Sequence, residues 1–421
     1  MGPRYVLVTF CNLPILTTSP VLCLRIASDL KDTISYAPVH LGYPYPMGSA
    51  TGLARWMDKI FVLCSTITGI GVAVLSEEDL TPLFYQDLPQ VKDGHSIFAS
   101  ETGLYVVSTG TDEVFCYDIS DNHITNSRVV WRASTSQVDT HHVNSITEVD
   151  DELYISAFGP KTGPLWASAA NGYIHNITQD IRVKEGIYHP HSLSERNEQL
   201  YYCESHMGSF CNLDGSLFLL DGYSRGVSWL SDKIICLATS VGRKISKSTG
   251  HIGNPADPGE KTGQCSLTMR NISSGELFTE IDLSWFGPEI YDLMFIESTV
   301  DLLKTANSAH LTERQAIQTL LAGADEREKA MRSQIAEQNT QIAEQNTQIA
   351  EQDAQIAEQN TQIAEQDALI QDIENRTFYK LHKKYTRFIE KVASPGTKRR
   401  RLYSIFINAL HRLLLGGSNK F

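Results

Sequence analysis

A short pattern that recurs along the first two thirds of the chain constrains its fold more than any other feature. Each copy begins with a few small or polar residues, which we call the polar step. An apolar residue, a turn and a run of strand-forming residues follow it, as in "GHSIFASETGLYVVS", "VNSITEVDDELYISA" and "PHSLSERNEQLYYCE". Repeats of this length, with strands and turns but no helical period, are typical of propeller blades. Six copies start near the following residues: Thr51, His95, Asn144, His191, Val227 and Tyr291.

The last copy of the repeat indicates how the ring closes. "EIYDLMFIE" has no strand after it, whereas the N-terminal runs "RYVLVTFCN" and "VLCLRIAS" lack a preceding polar step. We therefore predict an all-β six-bladed β-propeller over residues 1–298, in which the final inner strand joins the N-terminal strands to complete one blade. Closure of this kind removes exposed sheet edges.

The cysteines and the apolar runs indicate the compartment. Eight cysteines without CxxC spacing lie mostly inside apolar runs such as "IFVLCSTI", so we expect buried free thiols in a reducing cytoplasm. No apolar run approaches the roughly 20 residues that a membrane-spanning helix needs. The sequence therefore predicts a cytoplasmic protein.

Residues 299–375 form the second predicted domain, a helical region with a heptad repeat. "QIAEQNT" recurs almost unchanged and places isoleucines seven residues apart, at Ile335, Ile342, Ile349, Ile356, Ile363 and Ile370. A strict seven-residue period predicts a left-handed coiled coil. Because the second core position of each heptad is polar, we expect a weak but specific homo-oligomer through residues 330–373. The alternative is a solitary charged helix or a disordered segment.

Residues 376–421 form the third predicted domain, a basic tail with 12 Lys and Arg and a single acidic residue, Glu390. Four consecutive basic residues, Lys398, Arg399, Arg400 and Arg401, precede an amphipathic stretch, "LYSIFINALHRLLL". This pattern favours either an anionic membrane surface or a protein partner. Nucleic acid is not expected, because aromatic and basic residues do not interleave as a stacking platform requires.

The polar steps of the repeat also supply the candidate site. The innermost strands of a propeller line its central channel, so side chains at these steps face the axis. We predict that four residues could hold a divalent metal: His95, Asn144, His191 and Asp292. Four others are expected to line the channel: His142, His189, Arg225 and Tyr291. The alternative is structural, with these groups hydrogen-bonded to neighbouring blades. No residue is assigned a catalytic role, and neither GxSxG nor HExxH is present.

Three groups of motifs resemble known families. "HHVNSITEVDDELYISAFG", "IYHPHSL", "GYSRGVSWL" and "ATSVGRKISKSTG" resemble an uncharacterised microbial family, the domain of unknown function 4915, over roughly residues 5–298. This resemblance implies a propeller-like domain and no established activity. "HHVNSI" and "HPHS" are more distantly similar to inner-strand steps of lactonase and strictosidine-synthase-like propellers. Those lactonases hold an axial Ca²⁺ with Glu, Asn and Asp, a set that only Asn144 and Asp292 match. The "PGTKRRRLY" tail after a heptad region is similar to tails on prokaryotic glycosyltransferases of surface-polysaccharide loci.

Two functional hypotheses follow. The first is a non-enzymatic binding or scaffold propeller, oligomerised by the coiled coil and peripheral at the cytoplasmic membrane face, in cell-envelope glycan assembly. The second is an axial-metal-dependent hydrolase or lactonase built on the four candidate metal ligands. The sequence does not name the ligand, the cofactor or the oligomer order.

Overall fold

The chain folds into two compact units, Met1–Ala322 and Gly323–Phe421. The structure is a computed structural model, and it describes residues 4–13, 19–27, 30, 35–43, 47–120, 123–241 and 264–415.

The first unit consists of six four-stranded antiparallel sheets, which confirms the predicted six-bladed propeller. The N-terminal strands are β1 (Arg4–Cys11), β2 (Val21–Ile26) and β3 (Tyr36–Pro38). The next two sheets contain β4 (Ser49–Trp56), β5 (Lys59–Ser65), β6 (Ile70–Ser76) and β7 (Pro82–Asp87), then β8 (Gly94–Ser100), β9 (Gly103–Ser108), β10 (Glu113–Ile119) and β11 (Ile124–Arg132). The following two contain β12 (Val143–Val149), β13 (Glu152–Ala157), β14 (Gly172–Asn176) and β15 (Ile181–Ile187), then β16 (Pro190–Arg196), β17 (Gln199–Glu204), β18 (Ser209–Asn212) and β19 (Gly215–Leu219). The last strands are β20 (Tyr223–Ser231), β21 (Ile234–Ser240), β22 (Ser266–Asn271), β23 (Leu277–Asp282) and β24 (Glu289–Glu297).

One sheet combines strands from both ends of this unit. Its strand order is β24-β1-β2-β3, and the inner strand β24 pairs antiparallel with β1 from Arg4↔Glu297 to Cys11↔Glu289. Val6, Val8 and Leu24 of this sheet are fully buried or nearly so. The N-terminal strands therefore take the place of the outer strands that β24 lacks.

Apolar side chains fill the spaces between neighbouring blades. One cluster joins Tyr5 and Ile296 of the composite sheet to Leu53 and Ile60 of the next blade. Burial of such side chains contributes roughly 25 cal/mol for each Å² removed from water. All eight cysteines are free and buried, as the apolar runs around them predict.

Serine and threonine hydroxyls add a polar link between blades. In four of the six blades, a hydroxyl at the end of the second strand, or just beyond it, donates to a carbonyl at the start of the next inner strand. These bonds are Thr109 Oγ1 to Val143 O (2.5 Å), Ser156 Oγ to Pro190 O (3.2 Å), Ser205 Oγ to Ser224 O (2.5 Å) and Ser240 Oγ to Ile290 O (3.0 Å). They satisfy backbone groups that are buried away from water.

Each inner strand has an irregularity where it pairs with the second strand of its blade. The register shifts lie at Ala50/Gly52, Gly94/Ser96, Val143/Ser145, His191/Ser194, Arg225/Val227 and, opposite β24, at Val8/Phe10. A β-bulge of this kind kinks the strand and turns a side chain in a new direction. The polar step of the repeat therefore marks a β-bulge.

Two helices follow the propeller strands, α1 (Leu302–Val392) and α2 (Lys398–Leu415). Helix α1 begins within the predicted helical region 299–375, and its Leu302, Leu303 and Ala306 pack into a core cluster of the first unit. It continues beyond residue 375 to Val392, since no proline or glycine interrupts the sequence between there and Pro395. No helix in the described part of the chain is both long and apolar enough to cross a membrane.

In the second unit, the heptad isoleucines form an exposed stripe along α1. Ile335, Ile342, Ile349, Ile356, Ile363 and Ile370 are 50–54% exposed. A tight turn, in which Thr397 N–H donates to Ser394 O at 3.3 Å, separates α1 from α2. Gly396 in this turn has a φ of 84°, which favours glycine.

We expect the replacement Ser240→Ala to lower the free energy of unfolding of the propeller by about 1–3 kcal/mol. The Ser240 hydroxyl donates to Ile290 O and accepts from Ile290 N–H, both at 3.0 Å, so its loss leaves two buried backbone groups without this partner. Chemical denaturation of both proteins measures the difference. Replacement of the exposed Ser284 by Ala is the matched control, and equal stability of the two variants would contradict the role of the hydroxyl.

Candidate functional site

Asp93, His142 and His189 form the entry to three inner strands in a left-handed backbone conformation. Their φ angles are 50°, 54° and 55°. Asp and His adopt this conformation more readily than most residues. Their carbonyl oxygens accept backbone N–H groups that follow the second strand of the same blade, from Thr109 (3.2 Å), Phe158 (3.3 Å) and Ser205 (3.2 Å). The first polar residue of each pair therefore shapes the turn into the blade.

The second polar residue of each pair lies at the bulge. His95 and Asn144 are the extra residues of the bulges in β8 and β12. In β16, His191 still pairs with Cys203, and Ser192 follows it in the bulge. His191 thus keeps its place two residues after the left-handed residue at the strand entry, as His95 and Asn144 do, but the bulge of β16 follows it.

His95 and His142 lie edge to face, with ring centroids 5.0 Å apart. The His95 ring also meets Tyr291 of β24 at 5.5 Å. His95 Nε2 is 3.4 Å from Asp93 Oδ1, and His142 Nδ1 is 3.1 Å from Asp139 Oδ2. Both rings are buried, so contacts from several blades meet around them.

His189 and His191 extend the cluster through Phe158. The Phe158 ring stacks on His189 at 4.3 Å and meets the edge of His191 at 5.0 Å and the ring of His142 at 4.5 Å. Tyr223 lies 5.4 Å from His191. We call the set His95, His142, His189 and His191 the histidine cluster. The structure brings together all four histidines that the sequence placed at the channel.

Hydrogen bonds determine which ring nitrogen carries the proton in two of these histidines. His189 Nε2 is 3.0 Å from Trp166 O, a pure acceptor, so this nitrogen carries the proton and Nδ1 accepts from the Tyr223 hydroxyl at 3.1 Å. His191 Nδ1 is 3.0 Å from His189 O and therefore carries the proton of that ring. The lone pair of neutral His191 is consequently on Nε2.

Three of the four predicted metal ligands each carry a buried nitrogen atom without a hydrogen-bond partner among the described residues: His95 Nδ1, Asn144 Nδ2 and His191 Nε2. Trp166 Nε1 is a further such atom at the site. His95 is 9% exposed, and Asn144 and His191 are 1% exposed. A buried polar atom without a partner costs about 1–3 kcal/mol. A ligand that forms hydrogen bonds with these atoms would remove this cost, so they are well suited to ligand binding.

Arg225 supplies a buried positive charge beside the cluster. Its guanidinium lies 4.9 Å from the Tyr223 ring and 4.7 Å from the Tyr291 ring, and its Nη1 is 3.8 Å from Glu289 Oε2. Burial first, and then the charge of Arg225, lower the pKa of His191 well below its usual value. Burial also lowers the pKa of His95, and that of His189 to about 3. These three imidazoles are therefore neutral near pH 7.

Other polar side chains at the same level link one blade to the next. Thr51 Oγ1 donates to Gly94 O at 2.6 Å, and Ser192 Oγ accepts Gly226 N–H at 2.9 Å. These two side chains, which are not among the predicted site residues, thus link neighbouring blades.

Asp292, a predicted metal ligand, lies in a similar structural position. Its Oδ2 accepts Leu53 N–H of the first complete blade at 2.9 Å, and its Oδ1 accepts Leu293 N–H at the same distance. Both carboxylate oxygens are thus engaged by backbone groups. The four predicted ligands are therefore not equivalent: Asp292 links two inner strands, whereas the other three carry unpartnered nitrogen atoms.

Metal ligation by the predicted set of His95, Asn144, His191 and Asp292 stays a prediction. Within the residues that the structure describes, no group of three or more His, Cys, Asp or Glu side chains could hold a metal ion. Arg225 also opposes a bound cation, because the charge that disfavours protonation of His191 disfavours a divalent ion in the same way.

Several members of the site were not predicted from the sequence. Phe158 follows a strand and Trp166 lies in a short 3₁₀ turn at Trp166–Ser168, both outside the repeat pattern. Trp166 packs on His142 at 4.5 Å. Tyr223 and Glu289 open inner strands without a histidine pair. The one available signal was the position of Tyr223 and Glu289 at the start of β20 and β24.

The basic residues of the predicted tail lie at the start of α2. Lys398, Arg399 and Arg401 are exposed and Arg400 is half-buried. They belong to the second unit and not to the histidine cluster.

Comparison with protein-family models finds no match, and comparison with curated protein sequences finds none. Solved structures with a similar fold include one titled as a nidogen/laminin complex, with 12% identity and a TM-score of 0.46 over 70% of this chain and 98% of that chain. A putative 6-phosphogluconolactonase from Bacteroides fragilis has 12% identity and a TM-score of 0.45 over 70% and 98% of the two chains. The periplasmic gluconolactonase of Pseudomonas aeruginosa has 12% identity and a TM-score of 0.43 over 70% and 99%.

We expect Asp292→Asn to change the pH dependence of stability. Burial raises the pKa of Asp292 from 3.8 to about 7, although the N–H groups of Leu53 and Leu293 favour the charged form. Between these two values the folded state holds a proton that the unfolded state has released. The wild-type protein therefore loses stability as pH rises through this window, by at most ~1.4 kcal/mol per pH unit.

The variant lacks this titration, so its free energy of unfolding should increase relative to that of the wild type as pH rises from about 4 to 7. Urea denaturation at several pH values measures the difference, with the exposed Asp214→Asn as control. A difference that stays constant across the window would overturn this assignment.

Proposed function

We propose that the propeller is a non-enzymatic binding module whose histidine cluster holds an uncharged, hydroxyl-bearing group, such as the end of a glycan. The single observation that carries this proposal is the set of unpartnered buried nitrogens on His95, Asn144 and His191. A hydroxyl donates to an imidazole lone pair and accepts from an amide N–H, so one kind of group satisfies all three atoms.

The charges around the cluster favour an uncharged ligand. Arg225 repels a cation, and its own charge is balanced by Glu289 at 3.8 Å. The His191 Nε2 lone pair repels an anion as long as the ring is neutral. The rings of Tyr291 and Phe158 lie against His95 and His191 and offer apolar surface of the kind that sugar rings contact.

Binding of saccharides to the full-length protein tests this proposal. We expect saturable binding by calorimetry to at least one neutral saccharide, with affinity that stays nearly constant between about pH 6 and 8. In the double variant His95→Ala/His191→Ala the affinity should fall at least tenfold, because two hydrogen bonds of roughly 1 kcal/mol each are lost.

Replacement of His175 by Ala is the matched control, since this buried histidine contacts Trp131 and Tyr173 and not the histidine cluster. Affinity that rises steeply at low pH would indicate an anion. No saturable binding across neutral mono- and oligosaccharides would count against the proposal.

The metal-dependent hydrolase or lactonase stays a prediction. Elemental analysis of the purified protein decides it, since one bound metal per chain that is lost in the His95→Ala/His191→Ala variant would favour it over the binding module.

We further infer that pairing of β24 with β1 closes the ring, that the chain is a member of the domain of unknown function 4915 family, and that it works in the cytoplasm.

The stripe of half-exposed isoleucines supports a homo-oligomeric coiled coil through residues 330–373, because such a stripe is stable in water only when a partner helix covers it. The basic residues Lys398–Arg401 support an anionic partner for the tail. These features suit a scaffold for cell-envelope glycan assembly at the membrane face.

We expect the double variant Ile349→Asn/Ile356→Asn to shift the full-length protein toward monomer. Polar side chains at two adjacent core layers remove the apolar contacts that hold the helices together. Analytical ultracentrifugation measures the mass of both proteins, and Thr347→Asn/Thr361→Asn on the same exposed helix is the control. A wild-type protein that is monomeric at micromolar concentration would exclude the coiled coil.

A further inference from the structure

We propose that the C-terminal part of α1 and helix α2 together form a lipid-binding helical hairpin, whose target is a membrane surface rich in anionic phospholipid. This inference rests on the proposed peripheral position of the tail and adds to it a second membrane-binding helix, residues 376–392 of α1. The sequence pattern predicted a membrane surface or a protein partner for the basic tail 376–421 and identified an amphipathic helix only in the part that forms α2.

The first observation is an exposed apolar stripe that begins after the heptads end. Its members are spaced three or four residues apart, so they lie on one face of α1. They are Phe378 (74% exposed), Leu381 (60%), Tyr385 (48%), Phe388 (60%) and Val392 (50%). Side chains of this size and exposure are not accounted for by packing within the described residues of the second unit.

The second observation is the charge on the opposite face of the same segment. Six basic residues occupy it: Arg376, Lys380, Lys383, Lys384, Arg387 and Lys391. Between described residues, the one ion pair that involves any of them joins Arg376 to Asp372 at 2.9 Å. A helix with Lys and Arg on one face and aromatic and aliphatic residues on the other is typical of helices that lie in the membrane interface.

The third observation is that α2 presents a similar surface from the other arm of the hairpin. Leu402, Ile405 and Phe406 are 63–68% exposed. The tight turn at Ser394–Thr397 returns the chain, and Tyr403 meets Tyr385 with ring centroids 6.4 Å apart. Besides the turn, a contact between Tyr385 and Tyr403 therefore joins the two arms, while other apolar residues of both remain exposed.

A second copy of this chain is the competing partner for the stripe, since spacings of three and four also suit a helix seam. Charge argues against it. Residues 376–421 carry 12 Lys and Arg and one acidic residue, so two copies brought together along this segment would repel each other. An anionic lipid surface attracts each Lys or Arg near it with about 1 kcal/mol.

Co-sedimentation of the full-length protein with lipid vesicles tests the inference. We expect binding to vesicles of phosphatidylcholine mixed with phosphatidylglycerol, weak binding to phosphatidylcholine alone, and loss of binding in high salt. The double variant Phe378→Ser/Phe388→Ser should bind at least tenfold more weakly. The variant Lys380→Gln/Lys383→Gln/Lys384→Gln/Arg387→Gln should bind about 600-fold more weakly, at about fivefold for each of the four charges.

Leu369→Ser is the matched control, because it removes an exposed apolar residue (61%) of α1 that lies outside the heptad isoleucine positions and in a part that lacks basic residues, and it should leave vesicle binding intact. The variant Leu402→Ser/Phe406→Ser separates the two proposals. If it abolishes binding while Phe378→Ser/Phe388→Ser has no effect, α2 alone is the anchor and the hairpin is overturned. If Phe378→Ser/Phe388→Ser changes the oligomer mass but not vesicle binding, the stripe is a contact between copies and the inference fails.

Discussion

The rest of the propeller depends on how the start of each inner strand is tied to its neighbour. Backbone N–H and C=O groups at this level are buried and need partners, and water cannot supply them all. Hydroxyls such as those of Ser205 and Ser240 and the carboxylate of Asp292 provide them across blade boundaries. Polar residues at the bulges thus divide into those that find a partner in the next blade and those that do not. His95 Nδ1, Asn144 Nδ2 and His191 Nε2 belong to the second kind.

The repeat predicted the fold well because strand periodicity, turns and polar steps all carry the same spacing. It aligned His95, Asn144 and His191 as one repeat position, but it did not predict that the bulge contains this residue in β8 and β12 and follows it in β16. The extra residue in that bulge leaves no trace in the pattern of polar and apolar residues. Register within a strand is set by pairing with the next strand, and a single sequence does not contain that pairing.

The role of Asp292 could not be predicted from the sequence, for a different reason. Its partner, Leu53 N–H, belongs to the opposite end of the propeller sequence, and a backbone donor has no residue-specific signature. The same holds for Phe158 and Trp166, which reach the histidine cluster from outside the repeat. Sequence spacing therefore identified residues that the blade scaffold positions, and it missed those that loops and distant backbone groups contribute. The histidine cluster and its surroundings contain residues of both kinds.

The charge and the spacing of apolar residues change along helix α1, while its secondary structure stays the same. From 333 to 375 it carries nine acidic residues and no Lys or Arg, and its apolar residues follow a seven-residue period. From Arg376 onward the charge reverses and Phe378 begins a new apolar stripe. Because both parts are good helix formers, a helix boundary does not mark the transition, and only charge and the exposed faces reveal it. A single continuous helix can thus contain two parts with different partners. The first part is suited to pack against another helix and the second to bind an anionic surface, and the change of charge alone marks the boundary between them.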